Sequence, residues 1–283
     1  MPAPGTVRIA VLGDDAAFGW GAEDDQTYPA DLERTLNGAG ARVEVLNAGV
    51  IGTGTAEQAL WYDLWVKQFN PGVVVLTVSW NDVDDDVRGA FFEERDRIVR
   101  PRPIEVLDRG LRAVRVTRAL ANRTPGFPWL SQHSQLVTLA RQAPTQFLMT
   151  LHARAVGGTG AGTRRASLSS DDLTYWRGEI RWLQERLAPS TRLAIVFLPS
   201  AESFSARSGA LEVLTKSKQI VEALEEAASE DQTVFLNMLS VLDSRPHPEQ
   251  LYFARDPHPN AAGNLVIAEE VADFLIDKGI IAR

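Results

Sequence analysis

The sequence predicts an α/β fold in which a parallel sheet of five strands is covered by helices on both faces. Three observations carry this expectation. Five short apolar runs are continuous rather than alternating, which is the pattern of strands buried on both faces. Amphipathic helical stretches lie between them, and strand–helix alternation implies parallel pairing through crossovers. The 283 residues are 45% hydrophobic and 23% charged, the composition of a globular domain with enough surface to bury a real core.

The expected strands are Val7–Leu12, Val43–Asn47, Val73–Ser79, Arg192–Pro199 and Thr233–Asn237. After the first, Thr27 caps a helix over Tyr28–Leu36, with Pro29 in its first turn. After the second, Thr55–Phe69 carries Trp61, Trp65 and Phe69 at a spacing of four and stops at Asn70-Pro71. Leu173–Leu187 leads into the fourth strand. Gly209–Ala228 leads into the fifth and sets Leu211, Leu214, Val221 and Leu224 on one face. The last helix, Ala261–Asp277, aligns Leu265, Ala268, Ala272 and Leu275 and ends at Gly279.

Residues from about 88 to 172 interrupt the alternation. Ile104–Leu120 reads as a basic amphipathic helix, Leu130–Arg154 as a second helix, and residues 157–163 as a glycine-rich flexible loop. With no repeat and no second core, residues 1–283 form one domain containing a helical insertion.

Composition narrows the function. The absence of cysteine removes disulfides, thiolate metal sites and cysteine nucleophiles. A net charge of −8 argues against nucleic-acid binding. No run approaches 18 apolar residues, and the start has neither a charged n-region nor an h-region, so the default expectation is a cytoplasmic protein. The charge is uneven: residues 1–87 hold 14 acidic and 4 basic groups, whereas residues 88–123 hold 10 arginines and 5 acids. Arg109, Arg112, Arg115 and Arg118 line the insertion's first helix. That face either pairs with the acidic N-terminal part or forms a lid, or docks on anionic lipid or glycan. Nothing in the sequence sets an oligomeric state.

In open parallel sheets the site gathers at the carboxyl ends of the strands. The first strand ends in Gly13-Asp14-Asp15, a turn opening a helix. The second ends in Asn47-Ala48-Gly49-Val50-Ile51-Gly52, tight backbone with free N–H groups. The third ends in Ser79-Trp80-Asn81-Asp82, and Asn81 is a candidate donor to an oxyanion. The aspartates Asp82, Asp84, Asp85 and Asp86 read as a solvated loop, or alternatively as oxygen ligands for a hard cation. Arg255-Asp256-Pro257-His258-Pro259-Asn260 places a rigidly held histidine two residues after an aspartate, a base with its orienting group. His133, His152 and His247 have no such surroundings.

Taken in order, these blocks resemble the SGNH (GDSL-like) hydrolases over nearly the whole chain. Gly13-Asp14, Gly49, Asn81-Asp82 and His258-Pro259-Asn260 with Gly263 match the family pattern, and Phe18-Gly19-Trp20-Gly21 with Tyr28-Pro29 is similar to bacterial members. The resemblance implies a flavodoxin-like three-layer α/β/α sandwich with a five-stranded parallel sheet, serine esterase or lipase chemistry and no cofactor or metal. It implies His258 as base, Asp256 as its orienter, and Gly49 and Asn81 as oxyanion donors. The implied substrate is an acyl ester of a small molecule, lipid or glycan. Three positions depart from the pattern: Asp15 stands at the serine position, Ser79 replaces a glycine, and Arg255 occupies the usual aspartate slot, one residue before Asp256.

Asp15 changes the implied chemistry. It removes the attacking hydroxyl, sets a negative charge beside the anion hole, and favours the imidazolium form of His258. Losing a triad nucleophile costs on the order of 10⁶-fold in rate. Three accounts therefore stay open: an ester hydrolase inactive or strongly impaired for want of its serine; a pseudoenzyme that binds an acylated ligand or glycan; or an enzyme whose Asp15 is nucleophile or metal ligand in phosphoryl chemistry, with Asp14 and the Asp82–Asp86 run holding Mg²⁺.

Overall fold

The computed structural model describes residues 5–89, 91–95, 98–102, 166–205, 209–230 and 233–283. Its main sheet has strands β1 (Val7–Leu12), β2 (Val43–Asn47), β3 (Val73–Val78), β6 (Arg192–Phe197) and β7 (Val234–Asn237), in the order β2-β1-β3-β6-β7. Every pairing in it is parallel. This is the flavodoxin-like order, and the strand-order reversal falls between β1 and β3, where the first and third strand ends lie side by side.

Helices cover both faces. On one side α2 (Tyr28–Gly38) and α8 (Ala261–Asp277) pack Tyr28, Leu32, Leu36, Ile267, Val271 and Leu275 against Ile9, Val11, Val73 and Val75. The short helix α7 (Met238–Asp243) adds Met238 and Leu242 to that layer. On the other, α3 (Thr55–Trp61), α5 (Ser170–Gln184) and α6 (Ala210–Glu230) pack Ala56, Ala59, Trp176, Ile180, Ile220 and Leu224 against Leu12, Leu76 and Ile195. Successive residues of β1 and β3 feed opposite layers, as the period of two in a strand requires. Capping follows the sequence: Thr27 accepts from the Ala30 N–H, and Asn260 accepts from the Gly263 N–H at 3.0 Å.

Several expectations need correction. Only Thr55–Trp61 of the Thr55–Phe69 stretch is regular α-helix; Tyr62–Val66 is a π turn and Lys67–Phe69 a 3₁₀ turn. Ala56, Ala59, Tyr62 and Val66 face inward, whereas Trp61, Trp65 and Phe69 are exposed. In α6 the buried face is shifted from the expected stripe: Val213, Lys216, Ile220 and Leu224 are buried and Leu211 is exposed. Leu265 of α8 is likewise exposed. The Asp82–Asp86 run is not a solvated loop. It forms helix α4 (Asp82–Gly89), with Asp82 and Asp86 fully buried.

After α4 comes an antiparallel hairpin, β4 (Phe92–Arg95) and β5 (Ile98–Pro101), and Phe91 and Phe92 join the core. The expected helices over 104–120 and 130–154, the glycine-rich loop, the four arginines, His133 and His152 lie outside the described residues. Among the described residues, no helix is long and apolar enough to cross a membrane.

Candidate active site

The chain leaves β1 through Gly13, whose φ is +157° and where a Cβ would meet Ala17 Cβ at 2.6 Å and Thr77 Cβ at 2.9 Å. That squeeze brings the next residues directly over the end of the sheet. Asp14 caps the short helix α1 (Asp15–Phe18), its carboxylate accepting from the Ala16 N–H at 3.3 Å and from Ser79 Oγ at 3.3 Å. Ser79 therefore tethers the ends of β1 and β3. Asp15 then opens α1 with a side chain one-quarter exposed.

Opposite it stands His258. An isolated bridge between Tyr252 and Pro259 and a Phe253 N–H to His258 carbonyl bond of 3.1 Å close its loop. The Asn260 amide donates to the Gln250 and Tyr252 carbonyls, each at 2.9 Å. Asp256 Oδ1 accepts the His258 backbone N–H at 3.0 Å and lies 2.5 Å from its Nδ1. The other ring nitrogen, Nε2, is 3.8 Å from Asp15 Oδ2. Asp15, His258 and Asp256 thus lie in line, although their sequence positions are far apart.

Burial disfavours charge on His258, but the neighbouring carboxylates of Asp15 and Asp256 outweigh it and raise its pKa above the ordinary imidazole value. For Asp256 burial is the largest single influence and raises the pKa, but the His258 hydrogen bonds and charge, with the Trp20 side chain, together outweigh it, so its pKa is lowered. Behind them, burial and the nearby Asp15 charge push Asp14 up to about 7.

The expected oxyanion donors come to the same end of the sheet but face local acceptors. The Gly49 N–H donates to Asn47 Oδ1 at 3.0 Å, and Asn81 Nδ2 donates to Asp85 Oδ2 at 2.7 Å. Gly49 is sterically required, since a Cβ there would sit 2.3 Å from Phe18 N. A concavity of about 520 Å³ opens beside it, lined in part by Phe18, Asn47 and Gly49 but not by Asp15 or His258.

The aspartates of α4 diverge. Asp84 binds the buried Lys216 Nζ at 2.6 Å, and Asp86 accepts the Ala56 N–H at 3.0 Å. Asp82 accepts from Thr55 Oγ1 at 3.3 Å, and that hydroxyl also receives the Trp176 indole N–H at 2.9 Å. Glu179 of α5 lies beside Asp86 and influences its pKa. Among the described residues, no three His, Asp or Glu side chains converge as a metal-binding set. Burial raises Asp82 and Asp86 well above the carboxylate range and Glu179 to about 8.

Sequence reasoning missed Trp20 as a site residue. Its ring lies 6.3 Å from that of His258, and its side chain hydrogen-bonds Asp256. The available signal was its place in Phe18-Gly19-Trp20-Gly21 just after α1. Glu179 was missed too, because a glutamate on an amphipathic helix gives no sign of burial. His247 is exposed beside Glu249, away from this site.

Residues 11–266 match the model of the GDSL-like lipase/acylhydrolase family. A search of the curated proteins found none that matches. Among solved structures, a Geobacillus acetyl-xylooligosaccharide esterase in mutant form aligns over 99% of this chain and 96% of its own, with a TM-score of 0.53 and 14% identity. A G-D-S-L lipolytic protein from Veillonella parvula aligns over 95% and 98%, with a TM-score of 0.53 and 12% identity. A two-domain esterase active on acetylated mannans aligns over 96% of this chain and 50% of its own, with a TM-score of 0.52 and 12% identity. At such identities the structural likeness carries the fold, and the family match carries the kinship. With its sheet order and strand-end blocks, this chain belongs to the GDSL-like lipase/acylhydrolase family.

Proposed function

We propose that this chain carries the cleft of an acyl-ester hydrolase of the carbohydrate or lipid class, with Asp15 at the nucleophile position and serine-type turnover disabled. The carrying observation is the line Asp15–His258–Asp256, in which Asp15 Oδ2 faces His258 Nε2 at 3.8 Å and Asp256 Oδ1 lies 2.5 Å from Nδ1. A serine at that place would have a base and an orienter already assembled. An aspartate there instead forms a resting ion pair that keeps His258 from acting as a neutral base. The names of two structural neighbours, esterases of acetylated mannans and acetyl-xylooligosaccharides, favour a glycan acyl ester as the ancestral substrate.

Restoring the hydroxyl tests this directly. Asp15→Ser should hydrolyse p-nitrophenyl acetate at least about 10³-fold faster than the unmodified chain, a fraction of the ~10⁶ attributable to a triad nucleophile. A folded Asp15→Ser protein without esterase activity would favour a module that binds acylated ligands without turning them over.

A further inference from the structure

A carboxylate that attacks an ester carbonyl is a far better leaving group than the alkoxide, so the tetrahedral intermediate collapses back to the starting ester. Attack on a tetrahedral carbon yields an ester of the aspartate, and an ester is what a His–Asp pair and a water cleave. The site suits both halves of that sequence. Asp15 Oδ2 and His258 Nε2 are 3.8 Å apart, beyond direct hydrogen-bond length, so one small group can be addressed by both atoms. Asp15 Oδ1 is buried without a hydrogen-bond partner, so donors do not blunt the carboxylate as a nucleophile. Trp20, 43% exposed, sets its ring 6.3 Å from that of His258 and gives this side of the site an apolar, aromatic wall.

We propose that this site opens small apolar terminal epoxides and hydrolyses them to 1,2-diols through an ester on Asp15. In the first step Asp15 Oδ2 bonds to a ring carbon, the carbon–oxygen bond breaks, and the protonated His258 gives its Nε2 proton to the departing oxygen. In the second, neutral His258, held by Asp256, takes a proton from water as that water attacks the Asp15 carbonyl carbon. Collapse releases the diol and returns Asp15 as carboxylate and His258 as imidazolium. Epoxide and water are consumed, and no other acid or base is needed. The raised pKa of His258 fits this cycle: the resting pair is a nucleophile beside a proton donor, and esterifying Asp15 removes the charge that kept the ring protonated.

This inference rests on placing Asp15 at the nucleophile position, but the two ideas fail separately, because the Asp15→Ser esterase assay involves no epoxide. The unmodified chain would be incubated in H₂¹⁸O with 1,2-epoxybutane, 1,2-epoxyhexane and styrene oxide. Diol would be quantified and the Asp15 peptide weighed by mass spectrometry. The expected result is diol formation with ¹⁸O in the Asp15 carboxyl, a first-turnover diol whose new oxygen is ¹⁶O from the protein, and loss of both signals in Asp15→Asn. In His258→Gln diol formation and labelling of Asp15 should both be lost, because the variant lacks the proton donor of the first step as well as the base of the second. Absence of diol with all three epoxides overturns the proposal, as does first-turnover ¹⁸O in the diol with an unlabelled Asp15.

Discussion

Two sets of acidic side chains lie at the same end of the sheet, and they manage negative charge in opposite ways. In the outer set, Asp15 and Asp256 flank His258, which is about one-quarter exposed, and the three share charge across the ring. In the inner set, Asp82, Asp86 and Glu179 are fully buried on α4 and α5, and no basic side chain figures among the influences on their pKa values. The outer carboxylates raise the pKa of a base. The inner carboxyls have their own pKa raised, because isolated buried charge is costly and proton uptake is the cheaper state. Acidic residues close in space can therefore act as a charge relay or as neutral hydrogen-bonding groups, and burial decides which.

The largest expected effect tests the outer set as a unit. On an Asp15→Ser background, His258→Ala should lower kcat/KM on p-nitrophenyl acetate by about 10³-fold or more, and Asp256→Asn by about 10²–10⁴-fold. Near-equal activity of Asp256→Asn and its parent would break the comparison by showing that Asp256 does not orient the ring.

Next comes the inner set. Glu179 holds its proton up to about pH 8 in the folded chain, whereas an ordinary glutamate releases it near 4.5. Its stabilising contribution is therefore fully present below the lower value and is lost as pH rises through the higher one. The thermal midpoint should fall between about pH 5 and 8, and Glu179→Gln should flatten that fall. At pH 9 we expect the variant to melt at least about 3 °C higher, given roughly 2–4 °C per kcal/mol for a chain of this class. Asp86→Asn, which keeps an oxygen to accept the Ala56 N–H, should act in the same direction. Parallel melting curves for both variants and parent across this range would show that the inner carboxyls carry no unusual protons.

Much of this contrast was legible in the sequence, but unevenly. Continuous apolar runs gave the five strands nearly to the residue, because strands buried on both faces leave little ambiguity. The pairing of His258 with Asp256 was expected from the spacing Asp256-Pro257-His258, and their meeting with Asp15 from the family resemblance. The fate of Asp82 to Asp86 was not. A run of four aspartates in five positions looks solvated, and only the third dimension reveals that Asp84 meets Lys216 while Asp86 meets the N-terminus of α3 and Glu179. Lys216 itself was invisible for the same reason: a lysine in an amphipathic helix is ordinarily exposed. The stripe of Trp61, Trp65 and Phe69 is the outward one: Trp61 is exposed within α3, before the π turn begins, while Ala59, Tyr62 and Val66 face the core.

A third test tracks His258 directly. Burial lowers its pKa, while Asp15 and Asp256 together raise it by more. Replacing Asp15 by serine removes one of those carboxylates, so an imidazole NMR titration should place His258 lower in the variant than in the parent. An unchanged midpoint would mean that the 3.8 Å approach of Asp15 carries no electrostatic weight.

The smallest expected effect concerns Trp20, which acts through Asp256 and so is a positioning residue. Its side chain hydrogen-bonds the Asp256 carboxylate, and that bond is one of the influences lowering the pKa of Asp256. Trp20→Phe keeps the aromatic body near His258 and removes the indole N–H. With one donor fewer, the Asp256 charge is less dispersed and holds the His258 proton more firmly. On the Asp15→Ser background, kcat should fall about 3- to 10-fold with little change in KM, which corresponds to about 1 kcal/mol for one hydrogen bond. The acid limb of the pH–rate profile should move to higher pH. A loss of packing alone would lower activity without moving that limb, so an unmoved limb would reduce Trp20 to a wall of the cleft.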